Sequence, residues 1–139
     1  MKVLIADDSL LICARLMTML AEFNQIEIVG HAQKANEAIS LISKLNPDVV
    51  ILDIQMGDGN GIEVLKRTKQ EHPSLIAIML SNHSTPHYQA KCLEAGANFF
   101  FDKSTEFFAL QDLFADLLYT SQRVPLFDWS DQRLLRYSE

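Results

Sequence analysis

An α/β fold built from five βα units is predicted for this 139-residue chain, and three observations predict it. Short β-branched or aromatic runs (Val3 to Ala6, Val49 to Leu52, Ile76 to Leu80, Phe99 to Phe101) alternate with segments of helical period. The runs are apolar throughout rather than alternating, the mark of parallel strands buried on both faces. Each run also ends on residues able to handle phosphate: Asp7 and Asp8, Asp53, Ser81, and Asp102 with Lys103. The carboxyl ends of parallel strands share one edge, where ligands bind. Positions far apart in sequence are therefore expected to meet in one pocket.

The elements follow in order. Strand one is expected at Lys2 to Ala6. A helix follows from Leu10 to Phe23, with Ile12, Leu16, Met19, Leu20 and Phe23 on one face. Strand two reads as Ile26 to Val29. Helix two, Lys34 to Leu45, carries the stripe Ala35, Ala38, Ile39, Ile42 and Leu45, and Asn46-Pro47-Asp48 stops it. Strand three is Val49 to Leu52. The loop Gly57-Asp58-Gly59-Asn60-Gly61 is expected to wrap close to a ligand. Helix three covers Ile62 to Glu71, and strand four Ile76 to Leu80. Helix four has Thr85 as cap, Pro86 in its first position and Gly96 at its left-handed exit. Strand five is Asn98 to Phe101. Helix five is expected to start near a Ser104 cap and to bury Phe107, Leu110, Phe114 and Leu117. Right-handed crossovers then place helices on both sheet faces. Residues 1–120 make one domain. The stretch 121–139 is a tail, broken by Pro125, in which Ser130 can cap a short helix.

Composition narrows the function. Hydrophobic residues make up 48% of the chain, enough for a core. A net charge of -6 without a basic cluster argues against direct binding of nucleic acid. The four-residue apolar start is too short for a signal peptide or a membrane span, so a cytoplasmic protein is expected. Cys13 and Cys92 lack metal-ligand spacing and read as packed, reduced thiols. His83 and His87 read as surface loop residues, with no partner at zinc spacing.

The site residues suit phosphoryl transfer to a carboxylate. That reaction needs an ionised nucleophile, a hard divalent cation, and donors for the developing charge. Asp53, on the central strand, is the expected nucleophile, with Asp7 and Asp8 as the metal pair. Three clustered carboxylates repel one another until a cation such as Mg²⁺, or Mn²⁺ as an alternative, turns repulsion into attraction. Lys103 supplies a point charge and Ser81 a hydrogen bond. Taken singly, each residue has a plainer role as a cap, turn or surface charge. Their joint placement at the strand ends favours the site.

With these residues in view, the chain resembles the receiver domain of two-component response regulators. Ile5-Ala6-Asp7-Asp8-Ser9 is similar to the family's acidic pair, and Leu52-Asp53-Ile54-Gln55-Met56 with Gly61 to its phosphoacceptor loop. Ser81 stands at the hydroxyl position, and Gly96 to Lys103 resembles the segment carrying the switch aromatic and the lysine. The resemblance covers about Lys2 to Tyr119. It implies a stand-alone, flavodoxin-like (βα)5 sandwich with strand order 2-1-3-4-5, carried over from the family. It also implies that Asp53 takes a phosphoryl group from a histidine kinase, a histidine phosphotransfer protein or a small donor such as acetyl phosphate. Asp8, Asp53 and the backbone carbonyl of Gln55 would hold Mg²⁺, with Asp7 helping directly or through water. Phe100 would be the switch aromatic, and the face of helix four, strand five and helix five would meet an output protein or form a phosphorylation-dependent dimer. The implied chemistry is limited to gaining and losing the chain's own phosphoryl group, so an enzyme acting on other substrates is not expected.

The chain departs from the family at three places. Gly57 stands where Pro is usual, which loosens the loop. Ser104 follows the lysine in place of Pro, so no cis bond is expected there. Asn82 is larger than the usual residue and would slow entry of a donor. Competing readings are a regulator acting through a DNA-binding partner and an unphosphorylated docking module. An aspartyl phosphatase would want Asp-x-Asp after its first strand, where this chain has Asp7-Asp8. A flavin binder would be repelled by that pair.

Overall fold

Strands that are apolar on both faces need helices above and below them, and the chain supplies them alternately. The structure is a computed structural model and describes residues 1–82 and 84–123, the side chains of residues 120–123 excepted. His83 and the tail expected to hold a short helix after Ser130 lie outside the described residues. The sheet strands are β1 (Lys2–Ala6), β2 (Glu27–Ala32), β3 (Val49–Leu52), β4 (Ile76–Ser81) and β5 (Phe99–Asp102). The helices are α1 (Leu10–Leu20), α2 (Ala35–Leu45), α3 (Gly61–Glu71), α4 (Pro86–Glu94) and α5 (Phe107–Arg123). All strand pairings in the sheet are parallel, in the order β2-β1-β3-β4-β5. This is the flavodoxin-like order that was expected.

The core is the sheet and the helix stripes against it. Val3 to Ala6, Val49 to Leu52 and Phe99 to Phe101 are fully or almost fully buried. On one side α1 and α5 are neighbours: the Arg15 guanidinium lies 4.3 Å over the Phe107 ring, and Gln111 donates to Glu22. On the other, α3 contacts both α2 and α4. Of the expected helix punctuation, the Thr85 cap and the left-handed Gly96 of α4 hold, and α2 stops at Asn46. Ser9, Asn60 and Thr85 accept backbone N–H groups at the starts of α1, α3 and α4. Asn46 takes the left-handed exit of α2, and Gly96 has a φ of 104° after α4.

Three boundaries move for physical reasons. β2 extends to Ala32, past Gly30 and His31, because its pairing with β1 shifts by one residue between Val3↔Ile28 and Leu4↔Gly30 and then continues to Ala6↔Ala32. A Cβ at Gly30 would stand 3.0 Å from Leu4 Cδ1 and 3.2 Å from Leu45 Cδ1, so glycine there makes room for packing rather than breaking the strand. α1 stops at Leu20 instead of Phe23, where Phe23 N–H bonds the Leu20 carbonyl in a tighter turn. α5 starts at Phe107, and Ser104 does not cap it; Ser104 instead donates to Asp102. Met17, off the expected α1 stripe, is 37% exposed. No helix among the described residues is long and apolar enough to cross a membrane.

Candidate phosphoryl-accepting site

The parallel hydrogen-bond ladder continues one residue past the strands, and this fixes the site. Asp7 N–H donates to the Ala32 carbonyl at 2.9 Å, Asp53 N–H to Ala6 at 3.0 Å, and Lys103 N–H to Ser81 at 3.1 Å. Three chemically active residues are thereby held on one edge by the backbone itself. Their side chains meet there. Lys103 Nζ lies 2.8 Å from Asp7 Oδ2 and 3.0 Å from Asp53 Oδ2. All three residues are buried, while Asp8 is exposed. Carboxylate oxygens of Asp7, Asp8 and Asp53 lie within 4.8 Å of one another. Asp8, Ser9, Asp53, Gln55, Asn82 and Lys103 line a cavity of about 250 Å³. Asp7 joins them through Lys103. Ser81 is fully buried at the end of β4, and Phe100 fully buried within β5.

The charges are unbalanced. Burial raises the Asp53 carboxyl above its ordinary range, and the negative charge of Asp7 adds to this; Lys103 offsets the rise only in part. Burial also works against the Lys103 ammonium, but its hydrogen bonds to Asp7 and Asp53 outweigh that and raise its pKa. Three acids facing one ammonium leave a deficit of positive charge. The donors are hard oxygens, the type Mg²⁺ takes while keeping several waters.

The loop after Asp53 is not a free wrap around a ligand, as expected from its glycines. Gln55–Met56 and Gly59–Asn60 pair as an antiparallel hairpin. The Asp58 carboxylate at its tip accepts the N–H groups of Ala35 and Asn36. Lys34, the residue at the start of α2, offers no side-chain cap, so Asp58 satisfies those donors from across the fold. The Ala35 N–H holds the Asp58 carboxyl below its ordinary range. Gly61 has a steric role. A Cβ there would stand 1.8 Å from the Asp53 carbonyl oxygen, and Gly61 N–H bonds Ile54 O at 2.6 Å. Only glycine lets α3 begin this close to the Asp53 backbone.

Sequence reasoning missed a contact beneath Asp7. Cys13 Sγ lies 2.8 Å from His31 Nε2, and both approach the Asp7 carbonyl, at 3.5 and 3.2 Å. Burial, with a contribution from Asp7, pushes the Cys13 thiol up to about 11, so it is a packed thiol, as expected. Burial likewise pushes Cys92 up to about 12. Nothing in the local sequence around His31 signals the pairing, because the strand was expected to end before it. The peptide bonds are all trans among the described residues, Lys103–Ser104 included.

A model of the response regulator receiver domain matches residues 3–115. The chain is 34% identical over 106 residues to the uncharacterized transcriptional regulatory protein YhcZ of Bacillus subtilis (strain 168), covering 76% of this chain and 50% of the relative. It spans about half or less of the length of the curated relatives it matches. Among solved structures, the isolated REC domain of RcsB from Salmonella enterica serovar Typhimurium superposes with a TM-score of 0.79 at 26% identity, covering 86% of this chain and 88% of that one. The response regulator domain of Thermotoga maritima CheB gives 0.75 at 27% identity, covering 89% and 97%.

Proposed function

This chain belongs to the response regulator receiver domain family, and from that premise we propose that Asp53 is its phosphoacceptor. The observation that carries this reading is the Lys103 ammonium bonded to both Asp7 and Asp53 inside a cluster of three carboxylates. Lys103 occupies Asp53 Oδ2 and leaves Oδ1 to attack phosphorus. The new O–P bond forms as the N–P bond of a donor phosphohistidine breaks, its electron pair returning to the imidazole. Water later attacks the phosphorus, releasing inorganic phosphate and the Asp53 carboxylate. Lys103 and the Ser81 hydroxyl stabilise charge on the phosphoryl oxygens. Asp8, Asp53 and the Gln55 carbonyl, with Asp7, would hold Mg²⁺, which supplies charge neutralisation when bound.

Phosphorylation would bias a two-state face formed by α4, β5 and α5, with Ser81 and Phe100 as the moving parts. Phe100 is already fully inside. The donor is a histidine kinase or histidine phosphotransfer protein, and the output is a change of protein partner. A second reading has specific support: relatives named as transcriptional regulatory proteins, of which this chain spans about half. In that reading the output reaches DNA through a partner, since the net charge of -6 disfavours direct contact. A DNA shift assay with the pure chain, alone and with the partner, separates the two. The phosphoacceptor reading is tested by incubation with Mg²⁺ and acetyl phosphate, then intact mass. One added phosphoryl group, blocked by a chelator, is expected. An unchanged mass with both a small donor and a cognate kinase overturns it, and a gain on Ser, Thr or His overturns the site.

A further inference from the structure

Asp102 sits between the two loops that frame the site, and its carboxylate serves both. Oδ2 accepts the Ser84 hydroxyl at 2.6 Å, from the loop between β4 and α4. Oδ1 accepts the Ser104 N–H at 2.8 Å, the Ser104 hydroxyl at 2.9 Å and the Thr105 N–H at 3.1 Å, from the turn after Lys103. Its own N–H donates to Glu106 Oε1 at 2.8 Å, and its carbonyl accepts the Glu106 N–H. Ser84 is held in turn, its carbonyl accepting Gln89 Nε2 of α4 at 2.9 Å. Ser81 and Asn82 precede Ser84 by a few residues, and Lys103 adjoins Asp102. The donors, the Ser84 hydroxyl foremost, hold the Asp102 carboxyl down to about 2, so the bridge is ionised at neutral pH.

We propose that Asp102 is a positioning residue that latches the β4–α4 loop to the Lys103 turn through Ser84, so that the hydroxyl side and the ammonium side of the site move as one unit. With serine in place of proline after Lys103, the turn is set by the Asp102 carboxylate rather than by a ring. A carboxylate accepting four donors from two loops is stiffer than either loop alone. Any shift of Ser81 toward a phosphoryl group then strains the Lys103 turn unless the Ser84 bond opens. The latch therefore sets the lifetime of the phosphoryl group as well as the geometry of the resting site. Only its effect on that lifetime rests on the phosphoacceptor reading.

Amide hydrogen exchange on the full chain without any donor tests the coupling. Ser84→Ala lies in one loop, yet it should speed exchange at residues 103–106 in the other by about fivefold, the loss of one hydrogen bond. Ser84→Thr should restore the wild-type pattern, and Ser84→Ala should stay folded, its melting temperature lowered by no more than about 5 °C. Faster exchange confined to residues 82–86 overturns the latch. With Mg²⁺ and acetyl phosphate, the phosphoryl half-life should change at least about threefold in Ser84→Ala, and Ser84→Ala should change nothing further in an Asp102→Ala background, where the acceptor of the Ser84 hydroxyl is already gone. Additive effects overturn it. If the wild-type chain takes no phosphoryl group, the function proposed above fails while the exchange result still decides the latch.

Discussion

The two ends of the same sheet make opposite surroundings. At the amino edge, Met1, Gln25, Pro47, Asp48, Pro73 and Leu118 are among the residues lining a cavity of about 710 Å³. At the carboxyl edge, the cavity is about 250 Å³, yet it holds Asp8, Asp53 and Lys103. Asp48 at the large cavity has its carboxylate taken by the Lys2 N–H at 2.7 Å, and the Met1 ammonium there is taken by the Gln25 carbonyl at 2.8 Å. Volume therefore does not locate the chemistry; strand direction does. Every βα turn ends a strand and begins a helix at the carboxyl edge, so the positive ends of the helix dipoles gather there. That edge favours anions such as phosphate, whereas the amino edge receives helix C-termini.

The sharpest way to break this contrast is to move one charge at each end. Asp53→Asn should abolish phosphoryl addition in the intact-mass assay, while Asp48→Asn at the larger cavity should leave it within twofold of wild type. A loss with Asp48→Asn would assign the chemistry to the wrong edge. Next in size is the steric fit around the site. Gly61→Ala should cost about 3 kcal/mol in urea unfolding, because the added Cβ collides with the Asp53 carbonyl. Gly57→Ala, with nothing within 4 Å of the new Cβ, should stay within about 0.5 kcal/mol.

Metal binding sharpens the electrostatic side. Mg²⁺ at a hundredfold excess over its dissociation constant should stabilise the wild-type chain by about 2.7 kcal/mol, read as a rise in melting temperature. Asp8→Asn should remove most of that rise. An equal rise in Asp8→Asn would show that the ion binds away from the acidic cluster. The smallest effect is the response to acid without metal, where two aspartates of the same edge should behave oppositely. The Asp102 carboxyl is held near 2, so its contribution is present above about pH 4 and fades as the pH falls toward 2. The Asp53 carboxyl is raised, so the folded state is favoured below its ordinary value of 3.8 and loses that advantage as the pH rises through the folded value. Urea midpoints of Asp102→Asn and Asp53→Asn against wild type, followed between pH 2.5 and 7, should therefore diverge in opposite directions.

Local pattern carried much of this molecule. β1 and β3 were legible to the residue, since a run of buried β-branched side chains bounded by polar residues admits one reading. The Thr85 cap of α4 belongs to the same class, because a cap and its N–H donor lie three residues apart. The convergence of Asp7, Asp53 and Lys103 was legible too, because parallel strands have a direction and each residue follows a strand.

Only the tertiary structure decided which groups pair across the fold. Asp58 and Ala35 are 23 residues apart, and Ser84 and Asp102 are 18 apart. Cys13 meets His31 because β2, after a one-residue shift of register, goes on pairing with β1 past a glycine. A chain announces the period of its apolar residues and the shape of its turns through near neighbours. It does not announce the partner of a carboxylate, since that depends on which loops the packed sheet brings together.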